Sequence, residues 1–108
     1  MPTPPMQPTM LIALIRDSLM AGGFSEENAD IVAAHLVDAE MKGVGSHGVN
    51  RLGLYLGEAK REVIDPLADP VISEPRDGML HVDGGGGIGI VAMKRATDAG
   101  ITAARQRG

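Results

Sequence analysis

The stretch Gly45-Ser46-His47-Gly48-Val49-Asn50-Arg51-Leu52-Gly53-Leu54-Tyr55 decides how this chain is read. Gly43 and Gly45 break the apolar pattern that precedes it, and a new helical period starts behind Ser46. Serine is a good N-cap, so the spacing predicts one continuous helix capped by Ser46, with His47 in its first turn and Arg51 one turn later. At about 100° per residue, Arg51 lies about 40° and Tyr55 about 80° around that helix from His47, whereas Val49, Leu52, Leu56, Ala59 and Val63 centre near ~160°. One face is then apolar and buried, and another carries reactive groups.

Upstream, Ser25 is a suitable N-cap for a helix with Glu26 and Glu27 in its first turn, where the dipole favours anions. Ala29, Val32, Ala33, Leu36 and Val37 give that helix an apolar stripe, and it is expected to end near Met41. An earlier helix, capped by Thr9, carries Met10, Leu11, Leu14, Ile15 and Leu19 and stops at Gly22-Gly23. Residues 1–8, rich in proline, read as a loose leader. Residues 9–66 therefore form a three-helix segment.

Downstream, Pro66 and Pro70 flank a change from helical periodicity to extended runs at Pro70–Ile72 and Met79–Val82. After Asp83-Gly84-Gly85-Gly86-Gly87-Ile88-Gly89, the residues Val91, Ala92, Ala96 and Ala99 suit a helix closed by Gly100, and Ile101–Ala104 reads as another strand. This is a β-loop-α-β unit, the incomplete start of an α/β domain over 67–108. The expected fold class is α+β.

With 108 residues the chain suits one small domain with a modest core. Its net charge of −4 lies without a basic stripe, and Phe24 and Tyr55 are its only aromatics, so nucleic acid is not an expected partner. Cysteine is absent, which excludes disulfides and thiolate metal sites. The apolar pattern from Met10 to Met20 is interrupted by Arg16, Asp17 and Ser18 and is too short to span a bilayer. A soluble protein with no membrane partner and no metal is expected.

Histidine has an unperturbed pKa of roughly 6.5 and serves as a general acid or base near neutral pH. The planar fork of Arg51 suits bidentate binding of a carboxylate, and Tyr55 can donate a hydrogen bond from the next turn. Together these groups would bind a 2-oxo or 2-hydroxy acid and move a proton at its C2 oxygen. The alternative is that His47 is a polar first-turn residue, Arg51 a solvated charge and Tyr55 a partly buried packing aromatic. A non-enzymatic helical interaction module also fits the short chain, with light scattering as the discriminating measurement.

Gly84, Gly86 and Gly89 match G-x-G-x-x-G between an expected strand and helix, where backbone amides cradle a pyrophosphate. The acidic residue expected about 20 positions on is absent, since Ala103, Ala104, Arg105 and Gln106 stand there. The competing reading is a flexible turn that brings helix and strand together. His35 beside the apolar stripe and His81 between Leu80 and Val82 are read as structural or solvated.

The pattern Asp38-x-x-x-Lys42-Gly43-x-x-Ser46-His47-Gly48-Val49-x-Arg51-Leu52-x-x-Tyr55 closely resembles the type-2 malate/L-lactate dehydrogenase family of NAD(P)-dependent oxidoreductases. The likeness continues through Val82-Asp83-Gly84, the glycine turn, Ala92-Met93 and Gly100-Ile101. It implies reduction of 2-oxo acids or cyclic imino acids, or oxidation of hydroxy acids, with NAD or NADP. It further implies that His47 is the proton donor or acceptor, that Arg51 binds the substrate carboxylate, and that Ser46 and Tyr55 line the pocket. A nicotinamide-binding fold peculiar to the family, a cytoplasmic location, and a homodimer or companion chain are implied too. Two departures stand out: members are much longer, and Gly85 and Gly86 stand where the family has a polar or acidic residue and Asn. The chain is accordingly read as an N-terminal portion, inactive alone, whose cofactor contacts lie mostly beyond Gly108.

Overall fold

The computed structural model describes residues 6–107, so most of the expected leader and Gly108 lie outside the described residues. In chain order it holds α1 (Pro8–Ala21), α2 (Glu26–Met41), two single 3-10 turns (Gly45–His47 and Val49–Arg51), α3 (Leu52–Lys60), β1 (Val71–Arg76), β2 (Met79–Asp83) and α4 (Gly89–Arg107). This is an α+β chain with a helical first half.

The helix α2 forms as its spacing dictates. Ser25 Oγ accepts the Asn28 amide at 3.1 Å, the two glutamates occupy the first turn, and Ala29, Val32, Ala33, Leu36 and Val37 are all buried. Ile15 and Leu19 of α1 pack into the same cluster, as do Ile88, just before α4, and Val91 in its first turn. Thr9 does not cap α1: Gln7 occupies the cap position without a side-chain bond, and Pro8 opens the helix. Proline's fixed φ is preorganised for that position, and its missing N–H costs nothing there.

The third helix also departs from expectation. Gly48, at φ −100° and ψ −143°, separates two 3-10 turns, and α3 begins only at Leu52. Ser46 therefore caps no continuous helix, and the azimuths calculated for one do not hold for His47.

The two extended runs pair with each other. β1 and β2 form an antiparallel hairpin in which Ile72 faces Val82, Ser73 faces His81 and Arg76 faces Met79, closed by Asp77-Gly78 with Gly78 at φ +81°. The register shifts between Ser73 and Arg76, where Pro75 has no N–H for the ladder. Leu80 and Val82 are half-buried, while β1 is exposed along its whole length.

No strand forms at Ile101–Ala104, and Gly100 does not end the helix. α4 runs unbroken to Arg107. A glycine inside a helix costs about 1 kcal/mol, and the Ala-Ala-Arg-Gln run that follows favours helix. The far end is fastened to the hairpin because Arg107 pairs with Glu74 and, at 3.1 Å, with Asp77. Among the described residues no helix is long and apolar enough to cross a membrane.

The segment between α3 and β1 is stitched to both halves. Asn28, only 4% exposed, donates from Nδ2 to the carbonyls of Pro66 (3.1 Å) and Ala68 (2.9 Å), while the Asp65 amide donates to the Gly86 carbonyl at 2.9 Å. Asn28→Ala leaves both carbonyls without this donor, so a loss of about 1–3 kcal/mol in urea unfolding is expected. Asn28→Asp, which sets a carboxylate against two carbonyl oxygens, is expected to lose more than Asn28→Ala at neutral pH.

The hairpin contact carries a pH signature. The Gly78 amide donates to Glu74 Oε1 at 3.1 Å and Arg107 lies against the same carboxylate, and these hold the Glu74 carboxyl below its ordinary 4.5, the backbone bond most strongly. A depressed pKa stabilises the fold above the unfolded value and is lost as pH falls through the folded one. The melting-temperature gap between the native chain and Glu74→Gln is therefore expected to be present at neutral pH and to shrink as pH falls below 4.5.

Candidate functional site

After α2 the chain turns at Gly43, with φ +77°, and the Val44 amide donates back to the Ala39 carbonyl at 2.9 Å. The two 3-10 turns then fold the Ser-His-Gly stretch into a short exposed loop. Ser46 Oγ stands 3.0 Å from His47 Nδ1, and Arg51 Nε donates to the Ser46 carbonyl at 2.8 Å. Ser46, His47 and Arg51 are thus brought together through Ser46, which bonds one partner by its hydroxyl and the other by its backbone. Tyr55 lies in the first turn of α3, partly buried against the core.

This geometry leaves several polar atoms of His47 and Arg51 unoccupied by the protein. His47 Nε2 and both Nη groups of Arg51 have no hydrogen-bond partner among the described residues, and Arg51 joins no ion pair among them. With Nδ1–H donating to the serine hydroxyl, Nε2 can release and recapture a proton without disturbing that bond; the other tautomer reverses the Ser46–His47 direction. The two Nη groups present an edge of the guanidinium that fits a carboxylate.

One residue of this loop's support was missed by the sequence reading. Glu40, in the last turn of α2, accepts the Val49 amide through Oε1 at 2.8 Å. The only local signal is an acidic residue nine positions before an amide, which no helical or strand period singles out.

The glycine run is occupied by its own surroundings. Gly85 and Gly86 take φ +65° and +77°, the Asp83 carboxylate accepts the Gly85 amide at 2.9 Å, and the Gly87 amide donates to the Gly84 carbonyl at 3.1 Å. A Cβ on Gly87 would stand 2.6 Å from that of Ala68, so this glycine permits close packing of the loop on the linker. Of the three candidates, Gly86 serves the turn, a Cβ on Gly84 would make an ordinary contact with Ala92, and a Cβ on Gly89 would meet nothing within 4 Å. An internal carboxylate already sits on the loop's amide, and the arrangement does not fit a pyrophosphate cradle.

A cleft of about 660 Å³ opens between α2, the hairpin and α4. Its cations are already paired: Arg95 with Glu27 and Asp69, Lys94 with Asp98, and Arg107 with Glu74 and Asp77. His35 and His81 are exposed. Among the described residues no group of three or more His, Asp or Glu side chains is placed to hold a metal ion.

Known proteins share both the sequence and this architecture. The chain is 37% identical over 95 residues to the L-sulfolactate dehydrogenase of Methanocaldococcus jannaschii, covering 88% of this chain and 28% of that protein. It is 32% identical over 91 residues to the (2R)-3-sulfolactate dehydrogenase (NADP(+)) of Chromohalobacter salexigens, covering 84% and 27%. The crystal structure of the delta1-piperideine-2-carboxylate reductase from Pseudomonas syringae pvar. tomato superposes with a TM-score of 0.89 at 30% identity, over 98% of this chain and 32% of that one. The chain thus spans under a third of the length of each of these relatives. The family model for malate/L-lactate dehydrogenase matches residues 6–108, and the chain belongs to that family.

Proposed function

We propose that this chain is the acid/base and carboxylate-binding portion of an NAD(P)-dependent oxidoreductase acting on a small 2-hydroxy, 2-oxo or imino acid. The carrying observation is the Ser46 bridge, which holds His47 and Arg51 on one loop with Nε2 and both Nη groups open. Arg51 grips the substrate carboxylate by a charge-assisted pair, which orients the C2 centre toward the imidazole. His47 delivers from Nε2 the proton that reduction places on the C2 oxygen or the imino nitrogen, and takes it back in oxidation. Ser46 fixes the imidazole through Nδ1, and Tyr55 borders the same pocket from α3. NAD or NADP supplies the hydride chemistry when bound. No residue of the glycine turn is assigned to hold it, and the 108-residue chain alone is inactive.

Oxaloacetate titrated into the labelled chain is expected to shift the amides of residues 46–55 with a dissociation constant in the millimolar range, about 4 kcal/mol. Arg51→Ala is expected to weaken that response at least about tenfold, and Arg51→Lys to recover it only in part. A chain that alone oxidises NADH or NADPH with a 2-oxo acid, and continues after His47→Ala, would sink the assignment of the proton to His47.

A second reading, a non-enzymatic interaction module, is favoured by one observation: β1 is exposed throughout, with Val71 at 65%. It predicts self-association or a companion chain through that edge. A monomer by light scattering at millimolar concentration would exclude the self-associating form.

A further inference from the structure

We propose that Glu40 is the positioning residue of this site: it caps the helical segment that begins at Val49 and so sets where His47 and Arg51 stand relative to a bound carboxylate. The inference deepens the reading above and rests on it.

A helix start needs acceptors for its first amides. Here the cap position belongs to Gly48, which has no side chain, and the nearby Ser46 hydroxyl is turned to His47 Nδ1. The Val49 amide is met instead by Glu40 Oε1 at 2.8 Å, from the end of the preceding helix. A carboxylate is well suited there, since it meets the positive end of the new helical segment.

The same side chain explains Gly48. Besides its backbone setting of φ −100° and ψ −143°, position 48 is restricted in space. A Cβ at position 48 would stand 2.6 Å from Glu40 Cδ and 2.7 Å from Cγ, and Gly48 itself is buried. The loop backbone is laid directly on the glutamate.

The Val49 side chain packs against the core cluster, and the Glu40 bond is the polar tie that orients the loop on α2. Among the described residues, the Glu40–Val49 bond is the one side-chain hydrogen bond from α2 to residues 45–51, whose other donating backbone amides donate within 44–51. His47 and Arg51 lie two residues to either side of Val49. A shift of the Val49 anchor moves both.

The test uses the whole 108-residue chain and three variants, Glu40→Ala, Glu40→Gln and Gly48→Ala, with amide hydrogen exchange and oxaloacetate titration read on each. Alanine favours helix, so α2 persists in Glu40→Ala and its amides serve as the folding control. Glu40→Ala is expected to lower the protection of the Val49 amide and to weaken oxaloacetate binding by about tenfold, the effect of losing a helix cap. Glu40→Gln keeps an oxygen acceptor and is expected to retain both. Gly48→Ala is expected to mimic Glu40→Ala in the native background and to add little to it in the double variant. Unchanged protection and affinity in Glu40→Ala, or a Glu40→Gln that fails equally, would overturn the proposal. Protection lost in Glu40→Ala while the native chain never responds to oxaloacetate would uphold the cap and overturn the carboxylate reading instead.

Discussion

The buried carboxamide of Asn28 is the contact on which the arrangement of the two halves depends. It sits in the first turn of α2 and is the one buried polar side chain among the described residues. A carboxamide with two donors can satisfy two carbonyls at once, and Pro66 and Ala68 offer theirs. The linker is thereby drawn onto α2, and through the Asp65–Gly86 hydrogen bond the glycine turn and the start of α4 follow. Ile88 and Val91 can then reach the cluster built on Val32 and Leu36.

The other end of α2 organises the candidate site by the same device. There the polar side chain is Glu40, and what it gathers is the Val49 amide. α2 therefore has an apolar middle that makes the core and two polar ends that hold loops. Gly45, Ser46 and His47 of the site loop are exposed, while Gly48 is buried and the Val49 side chain is the loop's apolar anchor. The cations of the large cleft are paired, whereas the guanidinium of Arg51 joins no ion pair among the described residues.

Family membership was legible in the Ser-His-Gly pattern and its flanks, and the comparisons bear it out over residues 6–108. The α2 stripe was equally legible, since each residue of its helical period is buried. The hairpin has a local signal too: Asp77-Gly78 between two extended runs favours a two-residue turn, which pairs the runs with each other. Reading Gly100 as a stop failed because one glycine costs less than the helix hydrogen bonds it would forfeit, and Arg107 finds carboxylates on the hairpin.

By itself, then, the sequence determined the elements whose signals are local: the capped α2, the two extended runs, and the break at Gly43 and Gly45 ahead of Ser46, His47 and Arg51. Period, capping chemistry and turn residues act within a few positions of one another, so they can be read along the chain. Only the tertiary structure decided that the helix expected from Ser46 breaks at Gly48, that Glu40 replaces Ser46 as the cap, and that Gly87 is small because Ala68 lies against it. Those outcomes depend on which atoms compete for one amide or one small volume after the helices have packed. No spacing along the chain records that competition.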